Sequence, residues 1–167
     1  MQTQKCDLTA DRVRELFNYD SHTGLLSRRV SRKIKNPSTK IGWKTKEGYL
    51  RLSIDKRCYY AHRIIWLWIT GYWPNNEIDH INCQHDDNRI VNLREVDSRM
   101  NKENLRGPRS DNKCGLLGVH LRNDTNKYEA KIKAGDKRIS LGSFKNKEDA
   151  YNAYLSAKRK HHEGNTL

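Results

Sequence analysis

One short stretch constrains this chain more than any other. It is Glu77-Ile78-Asp79-His80-Ile81-Asn82, followed by Asn92-Leu93-Arg94 and then by Asn101. An acid and a histidine stand side by side at the end of a short apolar strand, and amides return at Asn92 and Asn101. A chain that folds back over this span as hairpin and helix brings those four side chains around one divalent cation and one phosphate. The charge balance suggests whose phosphate it is. With 33 Lys+Arg against 20 Asp+Glu the chain carries a formal charge of +13 and a pI near 9.7, which argues for nucleic acid as the polyanionic partner.

A length of 167 residues allows one domain or two small ones. Hydrophobic content of 35% and a mean hydropathy of −1.02 argue against a single large core. No apolar run approaches the roughly 18–20 residues of a membrane span; the longest, Ile64–Thr70, reads as part of a helix. Met1-Gln-Thr-Gln-Lys lacks an apolar signal core, so a cytoplasmic protein, neither secreted nor membrane-bound, is expected. Cys6, Cys58, Cys83 and Cys114 form no Cys-x-x-Cys pair. They read as reduced thiols rather than as a structural zinc site. The basic excess is uneven: Arg28, Arg29, Arg32, Lys33, Lys35, Lys40, Lys44 and Lys46 lie between Ser21 and Lys46 with no acid among them. This stretch reads as a loop that meets phosphate.

Local patterns order the elements. Thr9–Phe17 reads as a helix capped by Thr9, and Gly24–Val30 as a strand. Gly48–Asp55 alternates, with Leu50, Leu52 and Ile54 on one face, and turns through Asp55-Lys56-Arg57 into Cys58-Tyr59-Tyr60. Ala61–Thr70 is an apolar helix ended by Gly71 and Pro74. Trp66 and Trp68 point about 200° apart on it, so one is expected in the core and the other toward a neighbouring module. Ile78–His80, a polar loop at Asn82–Asn88, Leu93–Val96 and a helix from Asp97 to about Leu105 complete a strand, loop, strand, helix unit. Gly107–Lys113 is the clearest linker. Beyond it come strands at Gly118–Arg122, Lys127–Lys133 and Lys137–Leu141, then a helix from Lys147 with Asn146 and Asp149 in a capping box.

The chemistry of the Asp-His unit suits phosphodiester hydrolysis. A neutral histidine takes a proton from water at neutral pH. Asp79 and an amide oxygen of Asn101 are hard ligands, and so sparse a set suits Mg²⁺ or Mn²⁺, with water and phosphate completing the shell. His62, ahead of an apolar helix, reads as a hydrogen-bonded structural residue. His85 lies in the loop after the motif, where it could touch substrate, but a solvated loop histidine is the favoured reading; His161-His162 read as side chains with no specific task.

The stretch from Leu16 to Arg106 resembles the HNH nucleases, in the branch found in phage and intron-encoded homing endonucleases. The likeness rests on Leu16-Phe17-Asn18-Tyr19-Asp20 with Thr23-Gly24-Leu25, Gly48-Tyr49-Leu50-Arg51, Ala61-His62-Arg63-Ile64-Ile65-Trp66, Gly71-Tyr72-Trp73-Pro74, Ile78–Asn82, Asp87-Asn88-Arg89 and Asn92-Leu93-Arg94. The resemblance implies a ββα-metal core at about residues 76–105, with Asp79 a metal ligand and His80 the general base. It makes Asn92 the brace of the loop that holds His80, and Asn101 the last metal ligand. Asn104 is a rival for that last place, and spacing favours Asn101. It also implies a phage-infected bacterial cell as the setting.

Gly118 to about Gly164 resembles the AP2/ERF DNA-binding domain, through Gly118-Val119, Lys127-Tyr128, Ala130–Lys133, Leu141-Gly142-Ser143-Phe144 and Glu148-Asp149-Ala150 with Ala153-Tyr154 and Ala157. That family lays the open face of a three-stranded sheet into the DNA major groove. Alternation agrees: Val119, Leu121, Tyr128, Ala130, Ile132, Ile139 and Leu141 are expected to face the helix. His120, Arg122, Glu129, Lys131, Lys133, Arg138 and Ser140 are expected to face outward. An open basic face of this kind suits phosphates and guanine edges.

The expected molecule is therefore an α+β protein with an HNH region at 1–106, a linker at 107–114 and an AP2-like domain at 115–164. Its expected activity is metal-dependent cleavage of double-stranded DNA. Arg51, His120, Arg122, Lys131, Lys133, Arg138 and Ser140 are the expected DNA contacts, and no small-molecule cofactor is expected. The alternative is a catalytically inactive, sequence-specific DNA-binding regulator. An RNA-binding or virion protein accounts for the charge but not for the motif.

Overall fold

The computed structural model describes residues 8–29, 41–108 and 110–166. Cys6 and four of the basic loop residues, Arg32, Lys33, Lys35 and Lys40, lie outside them. The chain divides into two compact units, Met1–Val96 and Asp97–Leu167. Among the described residues, small antiparallel sheets and four α-helices make the fold α+β. Among the described residues no helix is long and apolar enough to cross a membrane.

In the first unit, α1 (Ala10–Leu16) starts where the Thr9 hydroxyl accepts the Arg12 N–H. The chain then passes directly into β1 (Phe17–Asp20), which pairs with β2 (Leu25–Arg28). Phe17 thus begins a strand rather than ending the helix. The turn between β1 and β2 needs Gly24: at φ +74° an added Cβ there would strike the backbone of Asn88 and Arg89. The β1–β2 hairpin can therefore lie directly against the loop that carries Asn88.

β3 (Trp43–Lys44), β4 (Leu50–Ile54) and β5 (Arg57–Tyr60) form a three-stranded sheet. Leu52 and Ile54 enter the core as the alternation predicts. α2 (Ala61–Thr70) follows and stops at Gly71, whose left-handed backbone (φ +86°) returns its N–H to the Leu67 carbonyl. Ile64, Ile65 and Leu67 of α2 pack with Val13, Phe17, Leu26, Leu52, Ile78 and Leu93. Burial of each such large side chain stabilises the unit by about 1.5–3 kcal/mol. Trp66 and Trp68 are not divided as expected, since both are half-buried against this one core. Trp68 also donates to the Phe17 carbonyl at 3.2 Å. β6 (Glu77–His80) and β7 (Leu93–Val96) close the unit as an antiparallel pair.

The second unit opens with α3 (Ser98–Glu103), capped by the Asp97 carboxylate on the Met100 N–H at 2.7 Å. This compact unit begins ahead of α3, and α3 and the residues after it are tied into the C-terminal segment. Lys158, fully buried, donates to the Leu105 carbonyl. The Thr166 hydroxyl donates to Asn104 Oδ1 at 2.6 Å, and the Gly164 N–H donates to Glu103 Oε2 at 3.1 Å.

β8 (Val119–Arg122), β9 (Lys127–Ala134) and β10 (Lys137–Phe144) form one antiparallel sheet with β9 in the middle. α4 (Lys147–His161) packs against it. Val119, Ala130 and Ile132 are buried with Ala150, Tyr154 and Ala157 of α4. Gly118 allows Tyr154 to lie against the backbone, where any Cβ would collide with the ring. Two expectations are corrected, and a bulge is added to the strand reading. Leu121 shares the inner face but stays 40% exposed. A bulge between Ser140 and Gly142 restarts the alternation, so that Phe144 points inward beside Tyr128. No capping box forms, because the Asn146 amide donates to the Asp149 carboxylate instead of accepting a backbone N–H.

Candidate active site

Register places the site residues. Across β6 and β7, Asp79 lies opposite Arg94 and His80 opposite Leu93. Directly opposed residues on an antiparallel pair share a face, so Arg94 is aimed at Asp79. Its Nε and Nη2 both donate to Asp79 Oδ2, at 2.9 and 2.8 Å, and the carboxylate is buried. Sequence reasoning gives Arg94 no role, although counting the hairpin register across the loop pairs it with Asp79.

His80 is 2% exposed. Its Nε2 lies 3.1 Å from Asn88 Oδ1, an oxygen that can only accept, so Nε2 carries the proton. The neutral ring then has its lone pair on Nδ1. Burial pushes the imidazole below its ordinary range; the Asn88 bond opposes that shift in part. Asn88 is itself 2% exposed, and sequence reasoning misses it, since it is one amide among several in a polar loop. Tyr19 holds its backbone, donating to the Asn88 carbonyl at 3.1 Å while accepting the Ile90 N–H at 2.9 Å.

Asn92, also buried, spans the loop. Its Oδ1 accepts the Asn82 N–H at 2.9 Å and its Nδ2 donates to the Asp87 carbonyl at 2.8 Å. Asp87 in turn receives Asn82 Nδ2 at 2.7 Å and both Arg89 donors at 2.7 and 2.6 Å. The Arg89 guanidinium holds the Asp87 carboxyl down at about 2. Cys83, at φ +59°, turns its N–H back to the His80 carbonyl. The loop after His80 is thus cross-braced from both ends.

Aromatic rings surround His80. His62 meets it edge-on at 5.1 Å, Tyr49 lies at 5.8 Å and His85 at 6.0 Å. His62 is not the hydrogen-bonded residue expected: it is buried, and its Nδ1 has no hydrogen-bond partner. Burial, reinforced by His80, drives its pKa down to about 3. His85 is not simply solvated, because its ring is stacked on Tyr49. Arg51 lies over the Tyr60 ring at 5.0 Å, with its Nε buried and unpartnered.

Asp79 and His80, at the end of β6, and Asn92, which braces the loop after them, thus all belong to the first unit. Asn101 is a half-buried residue of α3 in the second unit, and its rival Asn104 is buried and bonded to Thr166. Among the described residues no three of His, Cys, Asp and Glu group to hold a metal. What the first unit offers is one carboxylate, and together with an amide oxygen that fits a hard cation with few protein ligands. Cys58, Cys83 and Cys114 form no disulfide among the described residues.

Residues 59–106 match the family model of an HNH endonuclease. The matched stretch runs from the end of β5 through α2, β6, the braced loop and β7 to just past α3. His62, Asp79, His80, Asn88, Asn92 and Asn101 all fall inside it. The elements before Tyr59 and the sheet of the second unit fall outside. No curated protein and no solved structure matches the chain.

On that sheet, His120, Arg122, Lys133, Arg138 and Ser140 are exposed and Lys131 is half-buried. The pairings His120 with Glu129, Ser140 with Lys131 and Arg138 with Lys133 place all six on the face away from α4. Lys131 pairs with Glu129 at 2.8 Å, and Arg122 with Asp124 at 2.6 Å. His162 has a task that the sequence does not suggest: its Nε2 donates to the Lys133 carbonyl at 2.8 Å and ties the end of α4 to β9.

Proposed function

We propose that this protein is a metal-dependent DNA endonuclease of the HNH homing type, with chemistry at His80 and targeting by the second unit. The observation that carries the reading is the state of His80: buried, neutral and fixed through Nε2 by Asn88, beside a buried carboxylate, inside the HNH match. With Nε2 occupied, Nδ1 takes a proton from water as its oxygen attacks phosphorus and the bond to the 3′ oxygen breaks. Asn92 keeps the loop, and so the ring, in place. Asp79 and Asn101 are the residues that would hold Mg²⁺ or Mn²⁺. A cation bound there supplies charge for the phosphate and the leaving oxygen. Arg94 fixes the Asp79 carboxylate.

The second unit supports targeting by its outer face, an AP2-like arrangement in which Arg122, Lys131, Lys133 and Arg138 meet phosphates or guanine edges and His120 and Ser140 lie between them. Arg51 is a further DNA contact in the first unit. One observation favours the reading of an inactive DNA-binding regulator: Arg94 already neutralises Asp79. Supercoiled plasmid incubated with Mg²⁺, and in parallel with EDTA, separates the two. The endonuclease gives nicked or linear DNA with Mg²⁺ alone; intact plasmid in both would leave only binding.

A further inference from the structure

We propose that His85 is a substrate-contacting residue of this site, with its Nε2 against a phosphate oxygen of the bound strand next to His80. The proposal rests on the endonuclease reading and names a phosphate contact within it.

A histidine in a polar loop ordinarily samples several rotamers in water. His85 is held at two points. Its ring lies flat on Tyr49, centroids 4.0 Å apart and planes within 6°. Its Nδ1 is 2.7 Å from the Glu47 carbonyl, 38 residues away in the chain. A carbonyl only accepts, so Nδ1 carries hydrogen and Nε2 is the nitrogen left to meet a ligand. The backbone beneath it is held as well, through the Asn92 Nδ2 donation to the Asp87 carbonyl at 2.8 Å. The ring is thereby presented, half-exposed, with its centroid 6.0 Å from that of His80.

The surroundings specify the ligand. Tyr49 meets Tyr60 edge-on at 5.6 Å, and Arg51 covers Tyr60. Beside these rings, Arg51 Nε and His62 Nδ1 are buried without hydrogen-bond partners. A phosphodiester brings anionic oxygens for His85 Nε2 and for the charge of the Arg51 guanidinium, and an apolar sugar edge for the tyrosines. As an imidazolium, with hydrogen on both ring nitrogens, His85 keeps its Nδ1 bond to Glu47 and donates from Nε2 to one of those oxygens as charge builds on phosphorus.

The test uses the full chain and a duplex oligonucleotide carrying one cleavage site. His85→Ala should slow cleavage about 10²-fold, the usual effect of removing one donor to a developing oxyanion. It should also weaken binding in EDTA about tenfold, as expected when a hydrogen bond to a charged group is removed. His85→Gln keeps an amide N–H near the place of Nε2, should recover part of both, and serves if the alanine variant does not fold. Placing a neutral methylphosphonate at the contacted phosphate should make wild type and His85→Ala equal. If His85 merely staples the loop to Glu47, the penalty persists at every methylphosphonate position, and that overturns the proposal. So does wild-type cutting and binding by His85→Ala. If the wild type itself fails to cut with Mg²⁺, the endonuclease reading falls, and the EDTA binding comparison alone decides His85: tenfold weakening upholds the contact, and equal affinity ends it.

Discussion

The loop after His80 and the outer face of the β8–β10 sheet use polar residues in opposite ways. In the loop, Asp79, His80, Asn88 and Asn92 are buried and hydrogen-bonded to other protein groups. A buried polar network of this kind adds little net stability, and it punishes removal of any one member. What it provides is a fixed geometry, which suits bond breaking. On the sheet, His120, Lys133, Arg138 and Ser140 stand in water, and the ion pairs beside them are exposed ones worth little. Such a face costs little to keep and is screened by salt, which suits reversible contact with a long polyanion. On the proposed reading, buried polar order serves the chemistry and exposed charge serves the grip on DNA.

The largest test of that contrast is His80→Ala. It should lower cleavage by about 10²–10⁴-fold while leaving DNA affinity nearly unchanged, measured on one oligonucleotide by gel cleavage and by anisotropy. Asn88→Ala comes next. It removes the bond to His80 Nε2, so kcat should fall about 10–100-fold with little change in affinity, and the melting temperature should drop in line with a loss of about 1–3 kcal/mol. Unchanged kcat in Asn88→Ala would make the bond to His80 incidental.

On the gripping side, the triple change Lys131→Ala, Lys133→Ala, Arg138→Ala should flatten log K against log salt by about 0.9 for each phosphate that is no longer neutralised. Affinity titrations between low and moderate salt read this directly. The smallest effect concerns acid stability of the first unit. Burial lowers the folded pKa of His62 to about 3, below its unfolded value of 6.5. Its contribution to stability is therefore complete above about pH 6.5 and is lost as pH falls toward 3. His62→Phe should remove that loss, so that its melting temperature falls on the order of a few degrees less than the wild type's between pH 7 and pH 5.

Much of the scaffold is legible in the sequence because its signals are local. The alternation Leu50, Leu52, Ile54 and the stop at Gly71 each predict an element that stands at nearly those residues. β1 escapes such reading because Phe17 completes an apolar helix stripe as well as it begins a strand, and β3 because two residues inside a basic run carry no period. Of the site, Asp79, His80 and Asn92 are readable as chemistry at a recognisable spacing. Asn88 is not, since only the close approach of Gly24 and the Tyr19 hydroxyl distinguishes it from Asn82. The anchoring of α3 is likewise invisible, because it depends on Lys158, Gly164 and Thr166, far along the chain.

The division between reacting loop and gripping sheet is tested most directly by single-turnover cleavage at saturating DNA, measured for wild type, His80→Ala and the triple sheet variant. The account predicts that the triple variant, once saturated, cuts at the wild-type rate with Mg²⁺, while His80→Ala binds normally and does not cut. Wild-type cutting by His80→Ala would contradict it, and so would a triple variant that keeps its affinity but loses its rate.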